Sequence, residues 1–93
     1  MIKSIVKRDG RVVLYDASKI ASAVLRCLQA AGQGDATVAA NVANAVEEAL
    51  EKECGNEPPQ IEQIQDAVEQ ELMHAGMEEA AKQYILYRAE RTR

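Results

Sequence analysis

Apolar residues recur three or four positions apart in four successive stretches of the chain, the spacing that puts them on one face of a helix. Ile20, Val24, Leu25, Leu28 and Ala31 form the first such stripe, with Asp16 as its N-cap and Gly32 just past its end. Val38, Val42, Val46, Ala49 and Leu50 form the second, between Asp35 and Gly55. A third helix is expected from about Ile61, after Pro58-Pro59, through Ile64, Val68 and Leu72 to Gly76. The fourth starts at Met77 and presents Ala80, Ala81, Tyr84 and Tyr87 or Arg88. Short loops between helices make neighbours antiparallel.

Only the start of the chain departs from this period. Two β-prone runs flank Asp9-Gly10 in "IVKRDGRVVLYD", the pattern of a β-hairpin. A two-residue loop there pairs Arg8 with Arg11 and Lys7 with Val12. Like charges facing each other across strands are unfavourable, so folding alone does not account for them. Residues 57–60 are placed to add a short third strand. The predicted fold is mostly α: a four-helix bundle in one domain, capped by a small N-terminal β-hairpin or three-stranded sheet.

Composition refines this picture at three points. With three tyrosines and no Phe or Trp in 93 residues, the core must be aliphatic and alanine-rich. Cys27 and Cys54 lack metal-site spacing and His74 is the single histidine, so two reduced thiols and no metal site are expected. No apolar run is long enough to span a membrane and no signal-peptide core is evident, which points to the cytoplasm.

Charge is segregated behind a net value of −4. Residues 1–26 hold Lys3, Lys7, Arg8, Arg11, Lys19 and Arg26 against Asp9 and Asp16. Between Asp35 and Glu79 twelve acids stand against one base, Lys52, and Glu47, Glu48, Glu51, Glu62, Glu69 and Glu71 among them read as a solvated face. Lys82, Arg88, Arg91 and Arg93 follow. In an up-down-up-down bundle the fourth helix ends where the first and third begin, so both basic segments meet at two helix N-termini. Those termini attract anions through free N–H groups and the helix dipole. The expectation is a polyphosphate pocket at one end of an acidic body, which argues against a nucleic-acid surface. There is no Walker loop and no catalytic pair.

Three blocks, "VKRDGRVVLYDASKI", "IQDAVEQELMHAG" and "AAKQYILYRAER", occur in the order and spacing of the ATP-cone, and the whole chain resembles that family. The last two are most similar to the cone at the N-terminus of anaerobic (class III) ribonucleoside-triphosphate reductases. The resemblance implies an allosteric domain that binds ATP or dATP, with Mg2+ accompanying the triphosphate, and controls the overall activity of a ribonucleotide reductase. It is not itself an enzyme. Residues 1–93 would be one cone excised from the N-terminus of a longer reductase, partnered by the parent catalytic domain and forming ligand-dependent homo-oligomers. The alternative is the cone of a ribonucleotide reductase transcriptional repressor, which carries a zinc ribbon ahead of its cone, or another helical interaction module.

By the same resemblance Lys7 and Arg8 would touch the phosphates, Lys19 would reach them from the first helix, and Arg91 would help hold them. Ile5 and Ile20 would sandwich the adenine, with Asp16 near the base and Ile61 and Gln65 at the base or sugar. Arg11, Tyr87 and Arg88 are secondary candidates. Val13 stands where many members have Glu, and Ile61 where Thr is common.

Overall fold

The helices begin and end where side chains or a permissive backbone satisfy their terminal peptide groups. The computed structural model describes residues 1–92; Arg93 lies outside the described residues. Helix α1 (Ala17–Ala31) is capped by Asp16, whose Oδ1 accepts from the Ser18 N–H at 3.0 Å, and it stops at Gly32 in the left-handed region (φ +65°). Helix α2 (Ala36–Cys54) is capped by Asp35, which accepts from the Val38 N–H at 3.1 Å. Helix α3 (Ile61–His74) follows the two prolines, and Gln63 Oε1 accepts from the Gln60 N–H at 2.8 Å.

Helix α4 (Glu78–Thr92) follows Met77, whose side chain has no oxygen with which to cap it. Gln33, in the loop between α1 and α2, fills that role: its Oε1 accepts from the Ala80 N–H at 2.9 Å. A cap delivered from 47 residues away is a tertiary contact that also pins α4 against the first loop.

The stripes converge as expected. Helix α1 packs on α2 and α4, and α3 packs on α2 and α4, closing a four-helix bundle. Its fully buried centre is Val24 and Leu28 of α1, Val46 and Leu50 of α2, and Val68 and Leu72 of α3, with Ala80 and Ala81 of α4 beside them. The small α4 side chains bring its backbone close, and Tyr84 (5% exposed) fills the remaining space. Both cysteines are unpaired, Cys27 in the core and Cys54 half-buried.

The hairpin comprises β1 (Ser4–Val6) and β2 (Val12–Leu14), antiparallel, with Ile5 opposite Val13 and Val6 opposite Val12. This is one residue away from the expected register. The loop has three residues, not two. Gly10 N–H donates to Lys7 O at 2.9 Å, Lys7 N–H donates to Arg11 O at 2.8 Å, and Gly10 takes φ +88°. That is a turn closed by a left-handed glycine, the next commonest hairpin connection. Asp9 stabilises it by accepting from the Arg11 N–H at 3.0 Å and from Arg11 Nε at 2.6 Å. Arg8 therefore does not face Arg11. Arg11 is matched by Asp9, and Arg8 is directed to α3.

The third strand is reduced to one bridge, parallel, between Val6 and Gln60. Val6 N–H donates to Pro59 O at 2.9 Å. Pro58 and Pro59 have no N–H to return, so the ladder cannot extend. The bridge and buried Ile2 tie the hairpin to the bundle beside the start of α3.

Candidate functional site

Bringing the first turns of α1 and α3, the last turns of α4 and the hairpin to one end of the bundle leaves a cavity of about 320 Å³ between them. It lies at the small end of the range for ligand pockets, roughly 300–1,000 Å³. Ile5 contributes from β1, Ile20 and Ala23 from α1, Ile61 and Ile64 from α3, and Tyr84 and Tyr87 from α4. Lys7, Arg8, Arg11, Lys19 and Arg91 supply positive charge around this apolar slot. Asp9 and Asp16 are the acids in its lining. The N-termini of α1 and α3 add partial positive charge at the same end.

The structure thus gathers Ile5, Lys7, Arg8, Asp16, Lys19, Ile20, Ile61, Gln65 and Arg91 around one cavity, with Arg11 and Tyr87. Arg88 is not among them. It turns to α3, where its Nη1 donates to Asp66 Oδ1 and Glu69 Oε1, each at 2.8 Å. It sits one helical turn before Arg91 on much the same face of α4, but the two α3 carboxylates hold its guanidinium there. It ties α4 to α3 outside the site.

Glu62 and Glu69 correct the reading of a purely solvated acidic face. Glu69 meets Arg88, and Glu62 Oε1 lies 3.2 Å from Arg8 Nε. Gln65, on α3, is 5% exposed and accepts from Arg8 Nη2 at 3.0 Å through its Oε1. A buried amide needs a partner, and Arg8 provides one.

Arg91 stacks over the Tyr87 ring at 5.8 Å from its centroid, and Tyr87 lies 5.7 Å from Tyr84. Tyr15, Leu14, Ala23, Ile64 and Tyr84 also line the cavity and were not singled out from sequence. Helical spacing marked Ile64 and Tyr84 as core, and their second role at the core's open end carries no local signal.

Proton equilibria separate the acids from the phenols. The Ser18 hydroxyl, and then its backbone N–H, hold the Asp16 carboxyl below its ordinary range. The Arg11 backbone N–H, and then its guanidinium, do the same for Asp9. Both acids are committed to local turns. The Tyr15 hydroxyl is shut off from water with no close hydrogen-bond partner among the described residues, and burial first, then the nearby Glu47 carboxylate, push its pKa up to about 12. Burial also raises Tyr84 and the Cys27 thiol. Each of these three keeps its proton to higher pH folded than unfolded. Their contribution is complete below their unfolded values, near 9 for the thiol and 10 for the phenols, and fades as pH rises through the folded ones. The urea midpoint is therefore expected to fall between about pH 8 and about pH 11. An unchanged midpoint would contradict these assignments.

The family model for the ATP cone domain matches residues 3–93. The chain is an ATP cone domain. ATP cones are allosteric regulatory domains, in keeping with a site made of positive charge around an apolar slot. Among curated proteins this cone is 38% identical over 96 residues to the vitamin B12-dependent ribonucleoside-diphosphate reductase of Thermoplasma acidophilum. It is 37% identical over 91 residues to the anaerobic ribonucleoside-triphosphate reductase of Escherichia coli. It is 36% identical over 99 residues to ribonucleoside-diphosphate reductase subunit alpha of Chlamydia trachomatis. These matches cover 97–98% of the cone but only 10–12% of the relatives' own length. Similar segments therefore occur in three kinds of ribonucleotide reductase at nearly equal identity. No described helix is long and apolar enough to cross a membrane, and the described residues hold no group that could bind a metal ion.

Proposed function

We propose that this cone binds ATP and dATP in the cavity and sets the overall activity of a parent ribonucleotide reductase, of which residues 1–93 are one regulatory unit in the cytoplasm. The observation that carries this reading is the convergence of Lys7, Arg8, Lys19 and Arg91 with an isoleucine-lined slot at the positive ends of α1 and α3. The slot suits a flat apolar base, with Ile5 and Ile20 on the adenine and Gln65 and Ile61 toward the base or sugar. The cations suit a triphosphate, with any Mg2+ arriving on the nucleotide, since Asp9 and Asp16 are engaged by Arg11 and Ser18. Val13 and Ile61 present apolar surface where a carboxylate or hydroxyl would add a hydrogen bond, so recognition leans on the phosphates.

Regulation requires ATP and dATP to differ in affinity for two conformations or assemblies, because an effector that binds both equally shifts nothing. The missing ribose hydroxyl is worth about 1 kcal/mol when hydrogen-bonded. A larger switch needs a change in assembly with the catalytic domain or a second cone.

Calorimetry with ATP, dATP, AMP and a DNA duplex tests the reading. The triphosphates are expected to bind at least about tenfold tighter than AMP, the scale of one charge-assisted hydrogen bond lost. Equal affinity for AMP and ATP would overturn the phosphate assignment, and preference for the duplex would favour a DNA-linked module.

A further inference from the structure

Arg8 carries an anion already. Its Nε lies 3.2 Å from Glu62 Oε1, and its Nη2 donates to Gln65 Oε1 at 3.0 Å. Nε and Nη2 form the side-on edge of the guanidinium, the edge a phosphate takes with two parallel hydrogen bonds. Glu62 and Gln65 stand three residues apart on α3, so one guanidinium reaches both. They are not equivalent. Gln65 is buried and neutral, while the Glu62 side chain is 48% exposed and free to swing into water. Its place in the first turn of α3 favours its negative charge through the helix dipole.

We propose that Glu62 is an internal competitor for the polyphosphate: it holds Nε on the phosphate-binding edge of Arg8 and must leave before a ligand phosphate can take that edge. Binding at Arg8 is then an exchange of one anion for another at Nε, with the two N–H groups of Nη2 shared between the incoming phosphate and Gln65. Two consequences follow. Glu62 raises the ligand concentration at which the cone responds. It also gives the hairpin loop a second tie to α3 beside the Gln65 bond, and ligand entry removes that second tie.

This inference rests on the cavity being a polyphosphate site, and the test therefore includes a probe that has no base. Inorganic triphosphate and ATP are titrated calorimetrically into the wild-type domain, Glu62→Gln, Arg8→Met and the double variant, with folding checked by circular dichroism. An ion pair this exposed is worth little, so Glu62→Gln is expected to bind both ligands only about two- to fivefold more tightly. In the Arg8→Met background Glu62→Gln should give no gain. A gain of equal size with and without Arg8 would mean that Glu62 acts only through the general field of the site, and overturns the proposal. So does a Glu62→Gln variant that binds triphosphate no better than wild type. Arg8-dependent tightening for triphosphate, with no binding of ATP by any variant, would sustain the exchange and refute the nucleotide reading.

Discussion

Lys7→Ala is expected to weaken ATP binding by about 1–3 kcal/mol, the scale for loss of a charge-assisted hydrogen bond, while leaving the fold intact. Lys7 opens the hairpin loop and lines the cavity, and its backbone, not its side chain, closes the turn through the Arg11 and Gly10 hydrogen bonds. Replacing the side chain therefore removes charge from the site without removing a structural contact. Arg88→Ala is the matching control. Arg88 is also a base near the end of α4, but Asp66 and Glu69 hold it against α3 outside the cavity. It should alter stability and not affinity. Calorimetry with ATP on the two variants decides: wild-type affinity in Lys7→Ala with a loss in Arg88→Ala would put the phosphates elsewhere.

A larger change in stability is expected from Leu72→Ala, about 2–5 kcal/mol. Leu72 is fully buried near the end of α3, among the aliphatic residues that stand in for the absent large aromatics. Truncation leaves a cavity that the helices, held by caps at Asp16, Asp35 and Gln33, cannot readily collapse to fill. Total stability for a domain of this size is on the order of 5–14 kcal/mol, so the variant loses a large share of it. Each kcal/mol lowers Tm by roughly 4–8 °C. Saturating ATP, at about a hundredfold excess over its dissociation constant, should restore about 2.7 kcal/mol if it binds only the folded form. Urea denaturation measures both effects, and a loss below about 1 kcal/mol would show that this end of the core is loosely packed.

Much of the architecture is legible in the chain because its determinants are local. Leu28, Leu50 and Leu72 recur with their neighbours at helical spacing, so each helix and its buried face can be read before any tertiary contact is known. Asp16 and Asp35 cap helices from within one turn, and Gly32 ends one through its own φ. The segregation of bases to the two ends of the chain, with short loops between antiparallel helices, is enough to bring Lys7, Lys19 and Arg91 to one end of the bundle.

What the tertiary structure decided are the contacts made by side chains with several equally good local options. An Asp-Gly pair serves a two- or a three-residue loop, and the bond from Arg11 to Asp9 together with the Val6–Pro59 bond selects the latter. That one-residue shift carries Arg8 from an expected clash with Arg11 to Glu62 and Gln65 on α3. Arg88 and Arg91 look alike in sequence and stand on nearly the same face of α4, yet Asp66 and Glu69 of α3 hold the first while the second, one turn on, lines the cavity. Gln33 has no local mark of a cap, and becomes one because the packing of α4 brings the Ala80 N–H within 2.9 Å. Backbone propensity and hydrophobic period act over a few residues and are written in order along the chain. The partner of a long polar side chain is chosen among distant groups by which of them the packed helices bring within reach.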